Sequence, residues 1–248
     1  MDVNKINASI IVDTVIEKAQ AIRNEILNNK LLGKDIDRNI SIIPKPYMGT
    51  GEIKVIIIGQ DPTVREATAR MKINTALNLD KRRSLFNYVD KIMKYLGYTL
   101  ENLYATNFYK CFFTAPHTHG ARRSPIGRAA TKVLAKHLPF WLNLVKEEIS
   151  YFPKAKILTL GEALIGQLVT GNNIGKREKL VKYYWGYNGG RERERFKYVQ
   201  ARENILGVDF YPLPHHPFIK KKFYKEELEK YMEFCRKAKS PGRPWGMN

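Results

Sequence analysis

The chain has 248 residues and is 44% hydrophobic, enough for one large domain or two small ones with a substantial core. It carries 43 Lys and Arg against 24 Asp and Glu, a net charge of +19. That excess points to a polyanionic partner, nucleic acid before anionic membrane, with a merely solubilising basic surface as the bland alternative. No apolar run approaches the ~20 residues of a membrane span. The opening MDVNKINASIIVDTVIEK lacks the basic start and apolar stretch of a signal peptide. Cys111 and Cys235 have no metal-type spacing. These features predict a cytoplasmic, intracellular chain with reduced thiols and no membrane association.

Val12, Val15, Ile16, Ala19, Ile22 and Ile26 recur at helical spacing and predict a helix over 8–29. Residues 31–52, with Pro44, Pro46, Gly49 and Gly51, read as a loop. IKVIII over 53–58 is a buried strand that ends on Gly59-Gln60-Asp61-Pro62. SLFNYVDKIMKYL over 84–96 is helical and closed by Gly97, and LYATN over 103–107 is a second strand. Residues 114–128 are a polar, basic loop, followed by a long helix over 129–150. AKILTLG over 155–161 repeats the strand-then-Gly pattern and leads into the helix EALIGQLV. Residues 171–197 are rich in Gly, Lys and Arg, and GYNGGRERER within them suits a hairpin tip or a loop. GVDFYPLP over 207–214 is a last strand, ending at His215-His216-Pro217, and a charged helix over 222–238 closes the pattern.

Strands that alternate with helices predict an α/β fold: three layers, α/β/α, around a central four-stranded, mostly parallel sheet. Ligands of such sheets bind outside the carboxyl ends of the strands. The motifs GQDP, TN, GE and HHP all stand at strand ends, so they are expected at one edge.

Two readings of Asp61 stand. A residue before proline is held extended, so Pro62 fixes the backbone that presents this carboxylate, as suits a general base or electrostatic stabiliser. The alternative is a turn or helix cap. His216, held by Pro217, is either a hydrogen-bond donor to an oxygen that gains charge or a capping histidine. Asn107 is either a base-edge reader or a strand-end turn residue. Four of the five histidines, 117, 119, 215 and 216, fall on two strand-end loops, but no third metal-ligand motif accompanies His117 and His119. TGNNIGKREK over 170–179 misses phosphate-loop spacing by one residue and reads as a turn.

In this order and spacing, GQDP after an apolar strand, SLFNYVDKIMKYLG, LYATN, AKILTLGEAL and HHP after a final strand resemble the uracil-DNA glycosylase superfamily. The resemblance covers about half the chain, and YATNFYKC also looks like its iron–sulfur branch. It implies a single domain over 1–248, with the N-terminal helix and a basic insertion at about 171–200 as decorations. It implies flipping of a damaged nucleotide and hydrolysis of its N-glycosidic bond. Asp61 would orient water and steady the sugar cation, and His216 would stabilise the departing base. Asn107 would read the base edge, with Gln60, Gly59 and Thr63 completing the base site.

The sequence also departs from that pattern. Thr63 and Val64 stand where the main branch has tyrosine and histidine, leaving space for a larger substituent at the pyrimidine C5. No aromatic lies between 48 and 85 to stack under the base, so Ile73, Asn74 or a distant aromatic must substitute. Phe218 and Ile219 are candidate wedges for the gap left in the duplex. With only one cysteine suitably placed, no iron–sulfur cluster, other metal or cofactor is expected.

Candidate phosphate contacts are Arg65, Arg70, Arg122, Arg123, Lys220, Lys221 and Lys222. Tyr183, Tyr184 and Trp185 have a composition suited either to stacking on bases or to a core. The expectation is a monomeric DNA glycosylase acting on uracil or another modified pyrimidine. Its alternatives are a non-catalytic nucleic-acid-binding protein on the same scaffold and, more remotely, a metal-dependent nucleotide hydrolase.

Overall fold

A computed structural model describes residues 3–64, 66–115, 125–170, 180–187 and 195–238. The chain order is α1 (Val3–Asn28), β1 (Tyr47–Met48), β2 (Val55–Gly59), α2 (Ala67–Arg70), α3 (Ser84–Leu96), β3 (Leu103–Asn107), α4 (Pro125–Ser150), β4 (Lys156–Leu160), α5 (Glu162–Leu168), α6 (Leu180–Tyr184), β5 (Tyr211–Leu213) and α7 (Lys222–Lys237). The sheet runs β1-β3-β2-β4-β5. β2 is parallel to β3 and β4, β4 is parallel to β5, and β1 is antiparallel to β3.

The α/β class and the parallel core agree with the sequence reading; the strand count is corrected from four to five. The added edge strand lies in the segment read as a loop. It is two residues long, pairs Tyr47 with Ala105 and Met48 with Tyr104, and sits between Pro46 and Gly49. So short a strand shows no alternation, and its proline and glycine flanks read as turn chemistry.

Every residue of β2, β3, β4 and β5 is buried, the pattern of a sheet covered on both faces. Two helix pairs do the covering. α1 packs on α4, with a Lys18–Glu147 bridge of 2.6 Å between them, and α3 packs on α7. On α3, Tyr88, Val89, Ile92, Met93 and Leu96 are buried at helical spacing. Gly97 ends the helix at φ 83°, donating to Met93 and Lys94 carbonyls, a left-handed closure that glycine makes without Cβ strain.

Two expectations about residues 171–197 divide here. Residues 171–179 and 188–194 lie outside the described residues, and the phosphate-loop-like stretch and the proposed hairpin tip fall largely there. Tyr184 and Trp185 are core residues, each 1% exposed, and not base-stacking groups. Trp185 stacks on Tyr231 at 4.5 Å, and its indole N–H donates to the Pro212 carbonyl at 2.8 Å. A run of neighbouring basic residues hid a helical turn that α6 turns inward. Tyr183 is half-buried beneath Lys197.

Among the described residues, no helix is long and apolar enough to cross a membrane.

Candidate active site

In chain order β3 follows β2 on one side, and β4 and β5 lie on the other, so the direction of winding reverses at β2. A pocket of about 300 Å³ opens at the carboxyl ends of these strands. This is the place where open α/β sheets hold ligands. Its lining takes in the GQDP turn after β2, Asn107 at the end of β3, Gly161 and Glu162 after β4, and His215 and His216 after β5. All four strand-end motifs therefore meet.

Gly59 sets how close the walls come. A Cβ built on it would lie 2.3 Å from Leu77 Cδ2 and 2.9 Å from Asn107 Oδ1, too near for either to remain in place. With no side chain here, Leu77 and the Asn107 amide both close on the backbone of β2. The pairing of β2 with β3 continues past the strand ends, as Phe108 N–H donates to Gly59 O at 2.7 Å and Tyr109 N–H to Gln60 O at 2.9 Å.

Asp61 fulfils the turn reading: its Oδ1 accepts from Thr63 N–H at 2.8 Å and its Oδ2 from Gln60 Nε2 at 2.7 Å. Each oxygen retains acceptor capacity, because a carboxylate has about four lone-pair sites. The turn thus fixes the carboxylate at the pocket wall without exhausting it.

Asn107 is 3% exposed, yet its side-chain amide makes no hydrogen bond among the described residues. Both recorded bonds go to its backbone carbonyl. The residue lines the pocket, so the amide is left available to a ligand there.

His216 is half-buried, with Nε2 3.2 Å from Ser84 Oγ at the start of α3 and Nδ1 buried without a partner. Nε2 is therefore the ring nitrogen placed to meet a ligand. α3 also anchors this loop from below, where Tyr88 OH donates to the Pro214 carbonyl at 3.1 Å. Burial, and secondarily the Lys220 ammonium, push the His216 pKa below the usual 6.5. The ring is therefore neutral at pH 7.

Since the folded pKa is depressed, the unfolded chain binds the proton more readily. The penalty on stability is absent above pH 6.5 and accumulates as pH falls through the folded value. A ring-proton NMR titration should show a midpoint under 6.5 that rises in Lys220→Ala. A midpoint above 6.5 would contradict the desolvated placement of the ring.

Thr63 is buried, and its Oγ1 accepts from Phe113 N–H at 2.8 Å. Its hydroxyl thus tethers the pocket wall to the segment after β3. Val64, next along the wall, is 37% exposed at the pocket.

Other expected site residues fall elsewhere. Phe218 and Ile219 are half-buried in the helical turn His216–Lys220 and lie outside the pocket lining. Lys220, at the end of that turn, and Lys221 and Lys222 after it are exposed; Lys221 covers the Phe218 ring at 4.5 Å, and Lys222 lies 4.0 Å from Glu226. Arg65, His117, His119, Arg122 and Arg123 lie outside the described residues.

Arg70 is corrected outright. It is 4% exposed and donates to Asp37 Oδ2 at 2.6 Å, Val64 O at 2.8 Å and Phe113 O at 3.0 Å, so it is an internal clamp and not a phosphate contact. Nothing in its sequence neighbourhood marks a buried arginine, because its acid, Asp37, lies 33 positions earlier.

Several pocket residues escaped the sequence reading, Leu77, Asn78, Arg83 and Ser84 among them. Leu77 and Ile73 give the pocket apolar lining, whereas Asn74 is exposed and outside it. Leu77 (φ 55°) and Asn78 (φ 54°) both hold left-handed backbone. For a leucine this strain costs on the order of 1–3 kcal/mol. Asparagine at 78 is a weak signal of such a turn; leucine gives none. Arg83, exposed on the lining just ahead of α3, adds a cation at the pocket.

The chain matches no family model and no curated protein.

Proposed function

We propose that this pocket is the active site of a DNA glycosylase that hydrolyses the N-glycosidic bond of uracil or another modified pyrimidine flipped out of DNA. The observation that carries the reading is Asn107: its carboxamide makes no hydrogen bond among the described residues and lines a pocket that also holds Asp61 and neutral His216. An amide offers both a donor and an acceptor, as reading a pyrimidine edge requires.

In this reaction the C1′–N bond breaks with its electron pair going to the base. Asp61 steadies the positive charge that grows on the sugar and orients a water, whose oxygen bonds to C1′. The water leaves its hydroxyl on C1′, and its proton balances the base anion. His216 donates a hydrogen bond from its neutral ring to the base oxygen as that oxygen gains charge. Leu77 and Ile73 supply apolar contact for the ring.

In this reading the exposed Lys220, Lys221, Lys222 and Arg83 contact phosphates, and the net charge of +19 supports a DNA partner. The protein acts as a monomer in the cytoplasm in this reading and needs no metal.

The test is release of free base, detected by mass, from oligonucleotides bearing uracil, hydroxymethyluracil and bulkier C5-substituted pyrimidines. Release that survives EDTA is expected. Salt-sensitive DNA binding with no abasic product from any base would instead leave a non-catalytic DNA-binding protein.

A further inference from the structure

Along β3, outside the pocket lining, lies a charged cluster that the reaction does not use. Lys110 and Glu148 have side chains 2% and 1% exposed, with Lys110 Nζ 2.5 Å from Glu148 Oε2. The ammonium also donates to Thr106 Oγ1 and to the Asn107 carbonyl, each at 2.7 Å. Tyr104 OH donates to Glu148 Oε1 at 2.6 Å. Two of the lysine's N–H donors are thus taken by hydrogen bonds to β3, and Glu148 Oε2 faces the ammonium as an ion pair, so the cluster joins β3 to α4.

Stability does not explain this arrangement. Desolvating two charges is costly, and well-packed apolar residues of similar volume often serve as well or better. Burial lowers the Lys110 pKa, with Glu148 opposing that fall. What an ammonium supplies here, and an apolar side chain could not, is a hydrogen bond that fixes a particular peptide carbonyl.

That carbonyl belongs to Asn107. Its side-chain amide has no hydrogen bond of its own to hold it, so its direction depends on the backbone that carries it. We propose that the buried Lys110–Glu148 pair, braced by Tyr104, is a positioning device that fixes the Asn107 peptide plane and thereby aims its carboxamide into the pocket. The proposal rests on the reading of Asn107 as a ligand-contacting residue. Lys110 and Glu148 are positioning residues; they do not line the pocket.

The test is the double variant Lys110→Met/Glu148→Gln, which removes both charges and keeps an acceptor for Tyr104. Its thermal midpoint should stay near the parent's. The base-release kcat should fall roughly 10- to 100-fold, the scale of a misplaced contact. KM for DNA, set by phosphates, should hold. The Asn107 side-chain NH2, expected as one sharp pair of proton signals in the parent, should broaden or show additional pairs.

An unchanged amide signal together with unchanged kcat would overturn the proposal and leave the pair structural. If the parent itself releases no base, the glycosylase reading falls, and the amide signal alone decides for or against positioning. Should the double variant fail to fold, Tyr104→Phe leaves the charges paired and removes one brace. The same amide change at smaller amplitude then supports the proposal, and an unaltered signal overturns it.

Discussion

Asp61→Asn is expected to lower base release by roughly 10²–10⁴-fold, the usual contribution of a positioned acid–base group. The substitution isolates charge from architecture. Asparagine keeps a carbonyl oxygen able to accept from Thr63 N–H, the bond that holds the turn at 2.8 Å. The turn, and with it the pocket wall through Pro62 and Thr63, should survive, so the thermal midpoint should move little. DNA affinity should also persist, since it comes from cations outside this turn. Lost with the charge is the stabilisation of a growing sugar cation. A single-turnover assay measures the step directly. Full activity in a folded Asp61→Asn protein would reduce Asp61 to a turn residue, and loss of activity together with loss of fold would make its role architectural.

How much of this was legible in the sequence follows from what each feature depends on. The strands and α3 declare themselves because burial on both faces, or on one helical stripe, writes a local pattern; α3 begins and ends where its periodicity does. The convergence of GQDP, TN, GE and HHP followed from topology alone, because parallel strands place their carboxyl ends on one edge.

Features that depend on distant partners left no local trace. Leu77 is an ordinary leucine in sequence; only the fold presses it against Gly59. Lys110 directly follows the FY that comes after TN and reads as one more basic residue. Its acid comes from α4, 38 residues later in the chain, so nothing near it in sequence suggests burial. Tyr184 and Trp185 failed for the related reason that a polar neighbourhood says little about which face of one helical turn points inward. The two-residue edge strand was too short to carry any period.

Arg70→Met is expected to be the most destabilising single change among the residues discussed. The guanidinium closes a junction of three segments: Asp37 before β1, Val64 at the pocket wall, and Phe113 and Thr114 after β3. The first and third of these also pair with each other, Asp37 N–H with Phe112 O and Thr114 N–H with Asp35 O, each at 2.9 Å. Methionine fills much of the volume but leaves Asp37, 8% exposed, as a buried charge without its partner.

Breaking one side of a buried pair costs about 3–5 kcal/mol, a large part of a typical total stability of roughly 5–15 kcal/mol. For a chain of this size that loss lowers the thermal midpoint by roughly 10 °C. Adding Asp37→Asn removes the stranded charge and should recover part of the loss. Freed of its bond from Arg70, the Val64 carbonyl no longer holds the end of the Asp61–Val64 wall, so base release should decline at temperatures where the variant is still folded. Calorimetry of the single and double variants, with DNA binding measured across salt concentrations, separates the two possible roles. If Arg70→Met left the midpoint unchanged and only reduced the salt dependence of binding, Arg70 would be a phosphate contact and the clamp would be wrong.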